Sequence, residues 1–484
     1  MKMIHEPKLK IRGPIVSQAM MESLLPPEYN CDLWSDIVKE VASDDRLLII
    51  LDDDPTGCQT VHGVSLCLDY SLDTLRTVLD EEPRILFIVS NSRSLWRSDM
   101  VQRISMITEN IRKVCEEKQR KFLLVSRSDS TLRGHYPIET DIIKRQLFGD
   151  SEGATDVLIP AFFEGNRVTA FDSHWIVQGG SYIPVGQTEF ARDPLFGYKY
   201  SHLPRYVREK FSGYAEMPDC ATISLEDLRL RGPEYVRDRL LSVEQNTVVI
   251  VNAVTYSDME VFVLGALWAE RAGFVPMYRS GASFVRVRAA VPTRKYLTAE
   301  DISSSAALTT HGGLVLVGSY TNLASSQLHE LVSRGIYTLC EIPVPNVVVG
   351  TAKPAVEVAA QLREAIAAGQ TVVCFTSRRF KRLREARLQW HIMEKLTSYF
   401  RELVEALTAE DESMPRFIVT KGGLTAYEVA RRALHVQSCR VLGQILPGVS
   451  VWEIPVKSHR LPYLVFPGNV GTHTSLREAV EMFL

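Results

Sequence analysis

Arg46-Leu47-Leu48-Ile49-Ile50-Leu51 runs directly into Asp52-Asp53-Asp54-Pro55-Thr56-Gly57. The aliphatic run has no polar alternation, which predicts a strand buried on both faces and therefore a mainly parallel sheet. The six residues that follow stop it with acids, a proline and a glycine. In open α/β sheets ligands bind beyond the carboxyl ends of the strands, and this strand delivers three carboxylates to such an end. Three neighbouring carboxylates repel one another unless a metal, a basic residue or a substrate hydroxyl offsets them. The plainer alternative is a solvated turn in which Pro55 and Gly57 act as turn formers.

The same pattern recurs outward from this stretch. Ile85–Val89 closes on Ser90-Asn91-Ser92-Arg93, and Phe122–Val125 on Ser126 to Thr131. Val157–Ile159 closes on Pro160-Ala161, and Val248–Val251 on Asn252-Ala253. Helical stretches at 99–119 and 258–272 supply crossovers. A second series follows at 313–317, 372–375, 417–419 and 463–466, with helices predicted at 322–334, 355–368 and 384–409. The expected fold is α/β: two three-layer α/β domains with mainly parallel sheets and an active site in the interdomain cleft. The expected boundaries are an N-terminal arm over 1–45, with short helices and no strand, a first domain over 46–290, a polar linker over 291–312 and a second domain over 313–484.

Composition excludes several classes. The chain has 484 residues, a formal net charge of −3 and 45% hydrophobic residues, with basic side chains dispersed. That suits a globular protein with sizeable cores and gives no nucleic-acid or membrane-surface footprint. The eight cysteines form no CxxC pair, which argues against a zinc ribbon or redox motif. Scattered cysteines fit a reducing compartment, the N-terminus lacks an apolar signal core, and no apolar run spans a bilayer, so a cytoplasmic protein is expected.

Chemistry concentrates at the predicted strand ends. Arg93, Arg127, Asp129, Ser130, Thr131 and Arg133 join the three acids at one edge of the first sheet. Arginine offers a planar fork for carboxylate or phosphate, and hydroxyls bond sugar hydroxyls, so a polyol-acid pocket is expected. Ser130 and Thr131 have another reading, as caps of a helix beginning near Leu132. Arg167 and Arg192 lie in a long stretch of little periodicity, either as anion contacts or as loop-pinning residues. His62, His135, His174 and His202 share no metal-ligand spacing and are read as structural. In the second half, Thr420-Lys421-Gly422-Gly423-Leu424-Thr425, Phe466-Pro467-Gly468-Asn469-Val470-Gly471 and Gly318-Ser319-Tyr320 each follow a strand. Glycine lets a backbone approach a phosphate, and three such turns at one edge favour a nucleotide site, although no Walker A pattern is present. Gly443 to Gly448 is read as a structural turn.

These motifs, in this order, resemble the four-carbon acid sugar kinase family. The resemblance rests on Asp53-Asp54-Pro55-Thr56-Gly57, Asp129-Ser130-Thr131-Leu132-Arg133-Gly134, Pro160-Ala161-Phe162 with Gly165-Asn166-Arg167, Gly422-Gly423-Leu424-Thr425 and Gly468-Asn469-Val470-Gly471, and covers residue 46 to the C-terminus. It implies an N-terminal domain that binds a sugar acid and a C-terminal domain that binds ATP. The implied reaction is ATP-dependent phosphorylation of a four-carbon acid such as threonate, erythronate or 3-oxo-tetronate. Carried over by motif, Asp53 and Asp54 are catalytic; Arg93, Arg127, Asp129, Ser130, Arg133 and Arg167 hold the acid; and Ser319, Gly422, Gly423, Leu424, Thr425 and Gly468 hold ATP with Mg²⁺. No dedicated protein metal site is expected. The chain departs from the pattern at Phe466-Pro467, where many members have Lys-Ser, at Arg127, where many have Lys, at Pro55, and in the Gln59-Thr60-Val61-His62 extension. A small-molecule sugar acid is the expected partner, with neither nucleic acid nor membrane, and self-association is left open. Two other readings stand beside this one: an NAD(P)-dependent dehydrogenase, which lacks a GxGxxG after the first strand, and a non-catalytic sensor of a sugar acid or nucleotide.

Overall fold

The strand Leu47–Asp52 is buried along its whole length. It pairs in parallel with Ile85–Val89, itself beside Val64–Cys67. Such double-sided burial explains the uninterrupted aliphatic run. In a computed structural model the chain is described over residues 13–149, 153–303, 310–319, 321–378 and 386–484. Tyr320, residues 1–12 of the arm, 304–309 of the linker and 384–385 of the predicted helix lie outside the described residues. The architecture is α/β with mostly parallel sheets, in two compact units. The units do not follow chain order. One comprises residues 1–46, 96–109 and 123–291, the other 47–95, 110–122 and 292–484.

The first unit carries a parallel sheet in the order Asp219–Ile223, Thr247–Val251, Thr155–Ile159, Pro276–Ser280, Phe122–Arg127. The helix Tyr256–Arg271 packs on Gly232–Leu241 and opens with a capping box in which Thr255 and Asp258 satisfy each other's backbone donors. A small antiparallel sheet runs Val16–Ser17, Ser181–Pro184, Ser173–Gln178, Arg167–Ala170. Here the arm departs from expectation. Its helices, Gln18–Leu24 and Trp34–Ser43, are short as predicted, but Val16–Ser17 is a strand because Ser181–Tyr182 offers it a free edge.

The second unit's sheet runs Leu47–Asp52, Ile85–Val89, Val64–Cys67, Ser438–Leu446, Val449–Val456, His459–Phe466, Ile418–Lys421, Leu314–Val317, Val372–Thr376, Thr338–Ile342. It is parallel at both ends, and an antiparallel meander over 438–466 joins the two parallel parts. The Gly443 to Gly448 segment is not a turn throughout: Gly443 to Leu446 end one strand and pair with Val449 to Val451, and only Pro447 and Gly448 make the turn. Val315, Val317, Val419, Leu464 and Phe466 build one core layer with Leu328, Leu331, Leu476 and Val480. The helix Asn322–Val332 is capped by Thr321, whose hydroxyl accepts from Ala324 N–H at 3.1 Å and donates to the Gly468 carbonyl at 3.1 Å. The cap therefore also pins one glycine turn.

Candidate functional site

In the second unit, Asp52, Asp53 and Asp54 leave the strand end in a turn that the acids themselves hold. Asp52 Oδ1 accepts from Asp54 N–H at 3.2 Å, and the Ser90 N–H and hydroxyl each donate to the Asp52 carbonyl at 2.8 Å. A Cβ on Gly57 would fall 1.7 Å from Asp52 Oδ2, so that position requires glycine. Asp54 Oδ1 accepts from the Thr56 N–H at 2.9 Å and the Thr56 hydroxyl at 2.6 Å. Arg93, lifted into place by the left-handed Asn91, lies 3.5 Å from Asp53 Oδ1 and bonds Asp54 Oδ2 directly. The offsetting charge for the acids is thus Arg93, from the neighbouring strand end.

The glycine turns of the same unit close around Asp54 and Ser319. A Cβ on Gly423 would lie 2.6 Å from Asp54 Oδ1, and one on Gly468 would lie 2.9 Å from Ser319 Oγ. Gly422 has φ +122°, open to glycine at no steric cost, and a Cβ on Gly318 would strike Thr425 Oγ1 at 2.2 Å. Ser319, Gly422, Gly423, Thr425 and Gly468 therefore come together, with Leu424 following in the same turn. Bare backbone at three strand ends, beside a carboxylate, is suited to a polyphosphate.

Two cations here escaped the sequence reading. Arg378 donates to the Val317 carbonyl at 3.4 Å and to the Ser319 carbonyl, while its Nε finds no partner among the described residues. Burial lowers its pKa to about 10, with Glu341 opposing, so it stays charged at neutral pH. Lys421 ends its strand fully buried. Sequence gives no hint of this, since lysine after a strand reads as a surface residue.

In the first unit, Asp129 Oδ2 accepts from Arg133 Nε at 2.8 Å and from the Thr131 hydroxyl. Arg133 also lies 3.7 Å from Asp193 and stacks over Phe190, 5.0 Å from the ring centre. No helix begins at Leu132. That residue has φ +66°, and the helix starts only at Ile138, so Thr131 serves Asp129 rather than a helix cap. The loop is held open by tyrosines: Tyr198 donates to the Thr131 carbonyl at 2.6 Å and Tyr206 to the Leu132 carbonyl at 2.9 Å.

Arg167 is buried, donates to the Gly165 carbonyl, and leaves Nε without a partner among the described residues. Burial brings its pKa down to about 10, Asp129 working against the shift and Arg133 with it. His174 lies in the same electrostatic neighbourhood. Burial pushes its pKa down to about 4, so it is neutral. Its Nε2 donates to the Ser130 carbonyl at 2.7 Å, which leaves Nδ1 to accept from Thr169 at 2.9 Å. The histidine is structural, as read, and fixes the backbone of Ser130. Arg127 and Ser128 are buried beside Ser280, whose carbonyl accepts from Ser128 N–H at 2.9 Å. Arg192 pins its own loop through the Thr188 and Gln187 carbonyls, the loop-pinning alternative. Among the described residues no cluster of three or more His, Cys, Asp or Glu could hold a metal ion, and no helix is long and apolar enough to cross a membrane.

Comparison with known proteins defines the class first. Residues 48–288 match a sugar-binding N-terminal domain and residues 314–476 a nucleotide-binding C-terminal domain. Together these are the architecture of the four-carbon acid sugar kinases, and the chain belongs to that family. No curated protein matches the chain. Among solved structures, a Salmonella typhimurium LT2 protein put forward as a tRNA synthase is similar in fold, with TM-score 0.65 and 16% identity over 89% of this chain and 98% of that one. Haemophilus influenzae protein HI1011 is similar with TM-score 0.61 and 17% identity, over 90% of this chain and 100% of that one.

Proposed function

We propose that this protein is an ATP-dependent kinase that phosphorylates the terminal hydroxyl of a small sugar acid, with four carbons as the favoured length. In this reading residues 46–290 bind the acid and residues 313–484 the nucleotide. The observation that carries it is the contact between Asp54 and Gly423: a carboxylate held by Arg93 and Thr56 rests against a glycine turn open enough for a phosphate.

Phosphoryl transfer asks a protein for positioning and charge stabilisation more than for covalent chemistry. Bound MgATP supplies the phosphoryl group and the metal charge that neutralises its oxygens. Asp54 orients the acceptor hydroxyl and takes its proton, and Asp53, which shares Arg93 with it, would help hold the Mg²⁺ of the nucleotide. Arg93 holds both carboxylates in register, so its first task is to orient the acids, with contact to the substrate carboxylate as a second. Arg133, Arg167 and Arg127 bind the substrate carboxylate, while Asp129 and Ser130 accept and donate to its hydroxyls. The glycine turns let Ser319, Thr425 and the backbone meet the phosphates. The test is an ADP-release assay over three- to six-carbon sugar acids. The expected result is turnover with at least one tetronate, and turnover with none of the panel, in a protein that binds MgADP, contradicts the kinase reading.

A further inference from the structure

Lys421 has a chemical problem that the nucleotide site resolves. Its side chain is 0% exposed, at the end of the strand Ile418–Lys421. The ammonium has three donors. One goes to the Pro467 carbonyl at 2.7 Å, and the charge lies 3.8 Å from the centre of the Phe466 ring. The strand neighbours in register are Val317 and Phe466, and the core layer beneath contains Val419, Leu476 and Val480. No carboxylate among the described residues bonds it. The charged groups on surrounding elements are engaged elsewhere: Arg378 on the Val317 and Ser319 carbonyls, Asp54 on Arg93 and Thr56, Arg477 with Glu330, and Glu481 with Arg334; Glu478 adds a further acid on the helix Ser475–Glu481. Burial alone holds the lysine's pKa well below its usual 10.5.

The bond to Pro467 has a directional consequence. A trans peptide is planar, with its C=O and N–H pointing in opposite directions. The Pro467–Gly468 bond is trans. Drawing the Pro467 carbonyl inward to Lys421 therefore turns the Gly468 N–H away from it. Gly468 is partly exposed, borders Ser319, and its N–H meets no acceptor among the described residues. A cation behind the carbonyl polarises this peptide and strengthens the outward donor.

We propose that Lys421 is a positioning residue for the nucleotide phosphates: by holding the Pro467 carbonyl it aims the Gly468 N–H at a phosphate oxygen. This inference rests on the nucleotide reading above. Among the described residues no carboxylate bonds the buried ammonium, and a phosphate on the far side of the same peptide would supply that compensation, so nucleotide binding is expected to draw a proton onto Lys421. Phe466 and Pro467 bring no charge of their own, so the chain's charge at this turn comes from the next strand.

The test is calorimetric titration of the full chain with MgADP at a series of pH values below the usual lysine pKa of 10.5, in buffers of different ionisation heat. Wild type is expected to take up protons on binding, with affinity falling as pH rises. Lys421→Met is expected to bind at least about tenfold more weakly, with no proton uptake and a melting temperature equal to or above wild type, since a buried charge has been removed. Lys421→Arg, always charged, is expected to recover part of the affinity without uptake. Binding of MgADP by wild type without proton uptake, or unchanged uptake in Lys421→Met, overturns the inference and leaves the nucleotide reading standing. Failure of wild type to bind MgADP at any pH overturns both.

Discussion

The Asp129–Arg133–Arg167 cluster of the first unit and the glycine turns of the second are built from opposite materials. In the first, side chains do the work. Arg133 is paired with Asp129 and near Asp193, and His174 stays neutral beneath Ser130 so that no further cation joins Arg167. In the second, the backbone does the work. Arg378 and Lys421 bond carbonyls rather than carboxylates, and the glycines keep Cβ atoms out of the space beside Asp54 and Ser319. A polyol acid is recognised by its own pattern of hydroxyls and carboxylate, so it needs a specific set of side chains. A polyphosphate presents repeated anionic oxygens, and amides backed by cations suffice.

The largest effect is expected at Asp54, which Arg93 and Thr56 hold against the Gly423 turn. Asp54→Asn keeps the shape and the bond from Thr56 but loses the proton acceptor. Turnover is expected to fall by about 10²- to 10⁴-fold with MgADP affinity near wild type, measured by steady-state kinetics and titration side by side. Near-normal turnover in that variant would remove Asp54 from the chemistry and leave the contact with Gly423 as packing.

A smaller effect sharpens the first-unit side. The His174 pKa falls from 6.5 to about 4 on folding. Between those values the unfolded chain binds the extra proton, so stability is full above about pH 6.5 and is lost as pH falls toward 4. The whole shift corresponds to on the order of 3 kcal/mol. Denaturant melts between pH 7 and 4.5 are expected to show this slope in wild type and a shallower one in His174→Gln, which preserves a donor to Ser130 and an acceptor for Thr169. Equal slopes would place the titrating group elsewhere.

The parallel strands were readable because their burial on both faces leaves an unalternated aliphatic signature, as in Leu47–Leu51, Ile85–Val89 and Val248–Val251. Strands whose burial depends on partners were not. Pro276–Ser280 is buried throughout, yet contains Arg279, which is accommodated only because Ser126 and Glu139 face it. Thr338–Ile342 alternates in exposure at a sheet edge, and in the meander over 438–466 only the last residues form an aliphatic run. The same division holds for the candidate site. Acids, arginines and glycine turns at strand ends could be found because their positions follow from strand ends. The roles of Lys421 and Arg378 could not, because what marks them is burial with their printed bonds made to backbone carbonyls, and that is a property of packing.

If two separable sites serve the two ligands, reciprocal binding by one variant on each side will distinguish them. Arg133→Ala and Gly468→Ala are titrated separately with MgADP and with the sugar acid that wild type turns over. Arg133→Ala is expected to lose the acid by at least about tenfold while keeping MgADP, and Gly468→Ala, whose new Cβ would meet Ser319 Oγ at 2.9 Å, to weaken MgADP while keeping the acid. Equal loss of both ligands in both variants, or loss of neither, would contradict two separable sites.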